Sequence, residues 1–154
     1  MKEIKLLTGQ VVLVDDKDFD SLNQYKWRYH ARFVLRYRYS DGRQTIVFLH
    51  REIIKPAKGM QVDHIDGNRL NNQRHNLREC THAENQRNRK KHKNNTSGYK
   101  GVDFSKKNHR FRAKIKLNYK SIHLGYFNTA LEAAYVYNKA AKELHKEFAC
   151  LNPI

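Results

Sequence analysis

The sequence has only two cysteines, Cys80 and Cys150, among its 154 residues. They lie too far apart for a CxxC clasp, and two thiolates do not complete a four-cysteine zinc site. A zinc site built from cysteines is therefore excluded. A disulfide between the two is possible, although nothing in the sequence favours it.

Long apolar runs are also missing. No segment approaches the roughly 18 apolar residues that a membrane-spanning helix needs. The segment Met1–Lys5 has no apolar stretch of the kind that forms the core of a signal peptide. We therefore expect a protein that neither contacts a membrane nor is secreted, acting in the cytoplasm of a bacterium or of a phage-infected host cell. A monomer is expected, without a small-molecule substrate.

Acidic residues are scarce, with 15 against 31 Lys and Arg, which gives a formal net charge of +16. Apolar residues make up 39% of the chain, which is too many for a disordered polycation, so folded structure is expected. The charge is uneven: +5 over residues 1–62, −1 over 63–85 and +12 over 86–154. Counterion release from phosphates makes nucleic acid the leading partner, ahead of a membrane surface or an acidic protein.

The first 60 residues contain short runs rich in β-branched and aromatic side chains. Strands are predicted over residues 10–14, 33–39 and 45–49, the last two joined by a hairpin turn at Ser40–Arg43. Residues 18–27 are ambiguous and form one helical turn or two. Trp27 within them is interpreted as a core residue rather than a base-stacking one.

The C-terminal section has the clearest periodicity. Apolar and cationic residues alternate over 110–117, which predicts a strand with Phe111, Ala113, Ile115 and Leu117 on one face and Arg110, Arg112, Lys114 and Lys116 on the other. Four cations without an acid between them favour a phosphate-binding face over a merely solvated one. Residues 87–97 before this section are basic and nearly without apolar side chains, as in a solvated linker.

Two more strands, over 99–104 and 121–127, complete a three-stranded antiparallel sheet. A capping box at Thr129–Glu132 then opens a helix that runs to about Leu144. The side of this helix that packs on the sheet is expected to carry Leu131, Ala134, Tyr135, Asn138, Ala141 and Leu144.

The central segment reads as strand, polar turn, strand and helix. Asp66-Gly67-Asn68 favours a chain reversal, and a second capping box at Thr81–Glu84 places Asn85 in the first turn of a helix. Phosphodiester hydrolysis needs an activated water and a cation to neutralise developing charge. Histidine suits the proton transfer, and Asp and Asn oxygens suit Mg²⁺.

Each of these residues has an ordinary alternative: an Asp-His pair is usually a surface turn, and Asn85 can be a solvated helix residue. Their combination, however, resembles the HNH or ββα-metal finger motif of phage and intron homing endonucleases, over about residues 63–88. The resemblance implies that His64 is the general base and that Asp63 and Asn85 bind the divalent metal, most simply Mg²⁺. It makes Asn76 the middle residue, which holds the loop and orients His64. His75 and His82 are taken as bystanders.

The C-terminal section is similar to the APETALA2/ethylene-response-factor DNA-binding domain over roughly residues 97–152. The matching segments are 97–102, 111–115, 124–127, 129–141 and 149–152. The resemblance implies a sheet that lies in the DNA major groove. Lys100 and Lys116 stand at positions where that family has DNA-contacting cations, and His123 replaces a tryptophan. Asp103 and Ser121 stand where plant members carry arginine, so plant target specificity does not transfer.

Together these patterns predict an α+β protein. The expected domains are a β-rich section over 1–60, a nuclease motif over 61–90, a basic linker over 91–97 and a DNA-binding domain over 98–154. The expected function is metal-dependent cleavage of double-stranded DNA, with docking through Lys100, Arg110, Arg112, Lys114, Lys116 and His123. The alternatives are a DNA-binding regulator with a remnant nuclease motif and an RNA-binding protein, although an exposed aromatic platform for single strands is not apparent.

Overall fold

The computed structural model describes residues 1–154 and mixes helix and strand, with 27% helical and 35% strand residues in small antiparallel sheets. The predicted α+β class is confirmed. The chain divides into two compact units, Met1–Thr81 and His82–Ile154. None of its helices combines the length and the apolar character needed to cross a membrane.

The first unit is built from two hairpins, a three-stranded sheet and two short helices. In chain order its elements are β1 (Lys2–Lys5), β2 (Val11–Val14), α1 (Asp16–Asn23), β3 (Arg28–His30), β4 (Phe33–Ser40), β5 (Arg43–Phe48), α2 (Leu49–Ile54), β6 (Gln61–His64) and β7 (Leu77–Cys80). Strands β1 and β2 pair, β4 lies between β3 and β5, and β6 pairs with β7, all antiparallel.

One apolar core joins these pieces. Trp27 is 1% exposed and donates its indole N–H to the Leu22 carbonyl at 2.8 Å, which confirms its assignment to the core. Val62 of β6 and Leu77 of β7 belong to the same cluster. The hairpin that carries His64 is therefore anchored in the core of the N-terminal section, and burial of its apolar side chains fixes its position.

The structure differs from expectation at several short elements of this unit. The predicted strand over 45–49 ends at Phe48, and Leu49 instead begins α2. Strands β1 and β3 were not predicted, because four and three residues are too short to show a periodicity. The helix α1 includes residues 18–23 of the ambiguous segment, and residues 24–27 follow its end. At the β4–β5 turn, Asp41 and Gly42 both have positive φ, 50° and 69°, as a two-residue hairpin requires.

The second unit begins with α3 (His82–Arg87), as the Thr81–Glu84 pattern predicted. It continues with β8 (Val102–Ser105), β9 (Arg110–Leu117), β10 (Lys120–Phe127) and α4 (Ala130–His145). Strand β9 is central in the antiparallel order β10-β9-β8, and a bulge interrupts the β9–β10 pairing between His123 and Gly125. The capping box at Thr129 and Glu132 is present at the start of α4. The expected three-stranded sheet and the helix that follows it are confirmed.

The buried side of α4 is rotated relative to the prediction. Leu131 and Tyr135 are 53% and 67% exposed, so their expected packing on the sheet was wrong. Ala133 and Tyr137 are buried beside Ala134, Asn138 and Ala141, because small residues let the helix approach the sheet closely and leave room for one large ring.

The segment before β8 is tied to the second unit rather than wholly solvated. The side-chain amide of Asn95 donates to the Tyr99 carbonyl at 2.9 Å, and the Ser97 hydroxyl donates to the Val102 carbonyl at 2.8 Å. These bonds hold the C-terminal end of the basic linker against the start of the sheet.

Gly101 permits the close approach between this segment and the rest of the unit. Its φ is +76°, and a Cβ atom there would overlap the Tyr137 ring and lie 2.8 Å from the Lys114 carbonyl oxygen. Gly98 has a similar φ of +82°, but no atom lies within 4 Å of the position of its Cβ. A side chain would strain the backbone at both positions, but it would overlap other atoms only at position 101. A comparison of substitutions at the two glycines therefore separates the cost of backbone strain from the cost of steric overlap.

We predict that Gly101→Ala lowers the free energy of unfolding by about 3 kcal/mol or more, against about 1 kcal/mol for Gly98→Ala, because only the first adds overlap to strain. Chemical denaturation of both variants, followed by circular dichroism, measures the difference. Equal losses for the two variants would contradict the close packing of Gly101 on Tyr137.

Candidate active site and nucleic-acid surface

The polar loop between β6 and β7 is held by one carboxylate. Asp66 accepts from the Asn68 backbone N–H at 2.7 Å and from the side-chain amides of Asn71 and Asn76, both at 2.9 Å. The Asp66 N–H in turn donates to Asn76 Oδ1 at 3.0 Å. Partial burial raises the pKa of Asp66, but these hydrogen bonds lower it below its usual value overall. The loop is thus folded around an ionised aspartate.

The same loop is fixed to the rest of the first unit. The Leu13 N–H donates to the Leu70 carbonyl and the Asn72 N–H donates to the Leu13 carbonyl, both at 2.8 Å. Arg74 forms a two-bond ion pair with Asp18, at 2.8 Å for each bond. These contacts fix every second residue from Leu70 to Arg74, so the second half of the loop is held in place by the rest of the unit.

His64 lies at the end of β6 with 1% of its surface exposed, and Asn72 fixes its tautomer. The Asn72 amide donates its Nδ2–H to the Arg69 carbonyl at 3.0 Å, which directs its Oδ1 to His64 Nε2 at 3.2 Å. An amide oxygen only accepts, so Nε2 carries the proton and Nδ1 holds the lone pair. Nδ1 is therefore the basic atom of the ring.

This geometry corrects the role expected of Asn76. Its side chain holds the loop, as predicted, through Asp66 and through an amide bond to the Asn71 carbonyl at 2.8 Å. The amide that orients the His64 ring belongs to Asn72 instead. Both asparagines lie in the same polar run, and the sequence alone does not show which of them reaches the ring.

Arg69 lies against the basic atom of His64. Its Nη1 is 3.2 Å from His64 Nδ1, in position to donate to the lone pair, and its guanidinium lies over the Phe33 ring at 5.0 Å. Burial lowers the pKa of His64, its bond to Asn72 opposes that shift, and the positive charge of Arg69 adds to it. His64 is therefore neutral at neutral pH, and a cation occupies the approach to its lone pair.

Aromatic rings form the wall behind His64. The His50 ring centroid is 5.4 Å from that of His64, and it is 5.7 Å from each of the Phe33 and Phe48 rings. Burial, followed by the charges of neighbouring groups, lowers the pKa of His50 to about 3, so this ring stays uncharged. It acts as an apolar support that limits the orientations open to His64.

Asp63, the expected metal ligand on β6, is buried and paired with β7. Its Oδ2 accepts from Arg78 Nε at 3.1 Å and from Arg78 Nη2 at 2.8 Å, and the two residues are direct partners across the strands. The side chains of Asp63 and Arg78 are only 4% and 15% exposed. Arg78 therefore holds this carboxylate in one orientation, as a metal ligand requires.

No group of three or more His, Cys, Asp and Glu side chains that could hold a metal exists in residues 1–154. A hard cation such as Mg²⁺ keeps several waters and needs few protein oxygens, so an aspartate and an asparagine fit its chemistry. The first of these, Asp63, belongs to the first unit. The second, Asn85, lies on α3 of the second unit and is partly exposed.

The outer face of the C-terminal sheet carries the predicted cations. Arg110 and Lys116 are exposed and Arg112 and Lys114 are half-buried, whereas Ala113 and Ile115 on the other face are buried against α4. His123 of β10 is exposed, lies directly opposite Lys114, and packs its ring at 4.6 Å from Tyr126. The alternation predicted for β9 is confirmed.

One acid nevertheless lies on this face, contrary to expectation. Asp103 of β8 is the cross-strand partner of Arg112. Its Oδ1 and Oδ2 each accept one N–H of Arg112 at 2.9 Å, and Oδ2 also accepts from Lys114 Nζ at 2.5 Å. The bonds from Arg112 are the main cause that lowers the pKa of Asp103 to about 2. The alternation in β9 could not reveal an acid supplied by the neighbouring strand.

Lys100 also differs from expectation. Its ammonium donates to the Arg87 carbonyl, and its backbone N–H donates to Asn152 Oδ1 at 2.6 Å. Burial lowers the pKa of Lys100. In this arrangement Lys100 holds parts of the second unit together and does not point its charge into solvent.

Four groups around the site have contacts that the sequence did not predict: Asn72, Arg69, His50 and Arg78. Asn72 and Arg69 stand inside the matched motif, but no periodicity marks a loop residue as a contact of His64. The strand positions of Asp63 and Arg78 did contain a signal, because opposite charges at paired positions of a hairpin attract.

Comparison with known proteins agrees with this geometry. The family described as HNH endonuclease matches residues 55–87, which contain β6, the polar loop, β7 and α3. The chain is 38% identical over 92 residues to Protein 3.8 of Escherichia phage T7, covering 60% of this chain and 75% of that protein. No solved structure matches the chain.

An uncharacterised HNH endonuclease of Acanthamoeba polyphaga mimivirus is 34% identical over 149 residues, covering 95% of this chain and 76% of that protein. The likeness thus extends through both units and beyond the matched motif. Since a relative of known family aligns with nearly the whole chain, and the family motif contains Asp63, His64 and Asn85, this protein belongs to the HNH endonucleases, a family of nucleases that use a divalent metal ion.

Proposed function

We propose that this nuclease hydrolyses phosphodiester bonds in duplex DNA with a water activated by His64, and that it is of the homing type. The observation that carries the mechanism is the fixed tautomer of His64. A protonated Nε2 held by Asn72 leaves Nδ1 as the atom that accepts the proton of the attacking water. The family membership supports cleavage of DNA, and the buried, preorganised ring supports His64 as the base.

Arg69 is proposed to release this base when the substrate binds. In the structure its guanidinium donates to Nδ1, so the lone pair is occupied. A phosphate anion is a stronger acceptor for a guanidinium than a neutral imidazole is. The bound phosphate would draw Arg69 away from Nδ1. The guanidinium would then neutralise charge on a phosphate oxygen, and Nδ1 would be accessible to the attacking water.

Asp63 and Asn85 are proposed to hold the divalent metal, with Mg²⁺ as the expected ion. When bound, the metal supplies a Lewis acid that neutralises charge on the phosphate and on the leaving oxygen. The ion pair with Arg78 prevents the Asp63 carboxylate from rotating. His64 directly follows Asp63 in β6, so the proposed base and the proposed metal ligand lie on the same strand.

The C-terminal sheet is proposed to dock the enzyme on duplex DNA, in the manner of the APETALA2 domain that it resembles. The exposed cations Arg110 and Lys116, with Arg112, Lys114 and His123, supply the positive surface. The occurrence of relatives in a phage and in a giant virus supports a homing-type enzyme. The rival function, a DNA-binding regulator with a remnant motif, predicts binding without cleavage.

Nicking of supercoiled plasmid in the presence of Mg²⁺ tests the mechanism directly. We predict that His64→Ala reduces the nicking rate at least about 100-fold, because no general base remains, and that a chelator abolishes nicking by the wild-type protein. His75→Ala, an exposed histidine of the same loop, serves as the control and keeps the wild-type rate. Nicking by His64→Ala at the wild-type rate would contradict the assignment. Binding without cleavage under all metal conditions would favour the regulator.

A double-mutant cycle tests whether Asn72 acts through His64. Asn72→Ala should lower the nicking rate about 10- to 100-fold, as loss of a group that orients a functional histidine does. In the His64→Ala background the same substitution should have almost no further effect, because the ring that it orients is gone. Independent, multiplying losses in the cycle would show that Asn72 acts by some other route.

The role of Arg69 is tested by steady-state kinetics on a defined duplex. Arg69→Ala removes the phosphate contact and is expected to raise KM several-fold, and Arg69→Lys should restore part of that loss because it keeps the charge without the planar fork. Lys17→Ala, which removes an exposed charge on α1, controls for net charge. The role of Arg69 would be disproved by Arg69→Ala kinetics equal to those of Lys17→Ala.

A further inference from the structure

The ion-pair cluster on the outer face of the C-terminal sheet has an unusual composition for a phosphate-binding surface. Asp103 binds two cations at once, Arg112 from the paired position and Lys114 from the next position on the same face. The three side chains together carry one net positive charge instead of the two that the cations alone would give. A carboxylate on this face repels phosphate, so the cluster is poorly suited to gripping the DNA backbone.

The contact geometry orients Arg112 in a specific way. Asp103 takes the Nε–H and one Nη2–H of the guanidinium, both at 2.9 Å. A guanidinium is planar and has five N–H donors, so the far edge, formed by Nη1 and the second Nη2–H, remains directed away from the carboxylate. The side chains of Arg112 and Asp103 are 37% and 34% exposed, so the pair is accessible to a partner. The Tyr126 side chain, opposite Arg112 on β10, also hydrogen-bonds the guanidinium and restrains it further.

A guanidinium held in one orientation matches one base in the major groove. Guanine presents O6 and N7 as two adjacent acceptors, which a guanidinium edge meets with two parallel hydrogen bonds. A phosphate contact does not need such orientation, because the charge alone attracts a flexible cation. The cross-strand carboxylate reduces the rotamer freedom that Arg112 would otherwise lose on binding.

We propose that Asp103 and Arg112 form the base-reading pair of this sheet, in which Arg112 recognises guanine in the major groove and Asp103 holds it in the reading orientation. This deepens the proposed function, since it rests on docking of the same sheet on duplex DNA. Arg110 and Lys116, exposed on the same face of β9 and not bonded to Asp103, make the phosphate contacts.

The test separates base reading from phosphate binding. The full chain is incubated in EDTA, so that DNA is not cut, with a duplex library randomised over a short window, and the bound sequences are determined. Affinities for the selected duplex and for single-base variants of it are then measured at several salt concentrations. For the wild-type protein we expect guanine at one position at least, with replacement of that base weakening binding roughly 5- to 150-fold.

Three variants distinguish the contributions. Arg112→Lys keeps the charge and loses the planar fork, so the guanine preference should weaken while the salt dependence stays the same. Asp103→Asn removes the charged hold on Arg112, so it should weaken the preference while affinity for unrelated duplexes is unchanged or higher. Lys116→Ala is the matched control: it should weaken binding to all sequences equally and reduce the slope of log affinity against log salt by about one.

Retention of the wild-type base preference by Arg112→Lys and Asp103→Asn would overturn the proposal. So would an Arg112→Ala variant that lowers the salt slope by about one at unchanged preference, because Arg112 would then be a phosphate contact. In both cases a normal loss for Lys116→Ala leaves sheet docking intact. Wild-type binding by Lys116→Ala and Arg112→Ala together would instead refute docking through this sheet, and base reading with it. Thermal unfolding of each variant confirms that the sheet is folded.

Discussion

The chemistry of the first unit depends on the direction in which one amide faces. Asn72 donates to a backbone carbonyl of its own loop, so only its oxygen is available to His64, and the proton of the ring is confined to Nε2. Everything that holds Asn72 therefore acts on the base as well. The Leu13 carbonyl accepts from its backbone N–H, and Asp66 organises the residues on both sides of it. A loop without regular structure achieves the precision that a helix or strand provides elsewhere, because its polar groups satisfy one another.

Carboxylates that orient arginines recur through the chain, with different consequences. In the pair of Asp63 with Arg78 both side chains are nearly buried, and removal of either partner would leave an uncompensated charge inside the protein. In the pair of Asp103 with Arg112 both are about one-third exposed, where ion pairs contribute little to stability. The same contact thus fixes the orientation of the proposed metal ligand in one unit and restrains a partly exposed cation in the other. The sequence has about two cations for each acid, so each carboxylate can restrain only the few cations that lie beside it.

The sequence predicted the longer elements and the identity of the motif better than it predicted contacts. The alternation over 110–117 is long enough to define both faces of β9. The turn residues Asp41 and Gly42 favour the positive φ of a two-residue turn, so the hairpin they form was predictable as well. The packed side of α4 was predicted wrongly. Leu131 and Tyr135 were assigned to it because they are apolar, but they lie in the N-terminal part of the helix on its exposed side. Asn72 could not be chosen over Asn76, nor Asp103 detected beside Arg112, because both contacts arise from loop folding or strand pairing and leave no local periodicity.

The arginines of the central segment all make contacts within the first unit. Residues 63–85 contain three arginines, and each contacts a named acceptor of the first unit: Arg69 meets His64, Arg74 meets Asp18 and Arg78 meets Asp63. These cations position groups rather than attract a polyanion over distance. Long-range attraction must come from elsewhere, and residues 86–154 carry a net charge of +12 with exposed cations on β9. Screening by salt should consequently weaken the proposed docking through that section more than the contacts around His64, where the ring is buried and the interacting groups lie close together.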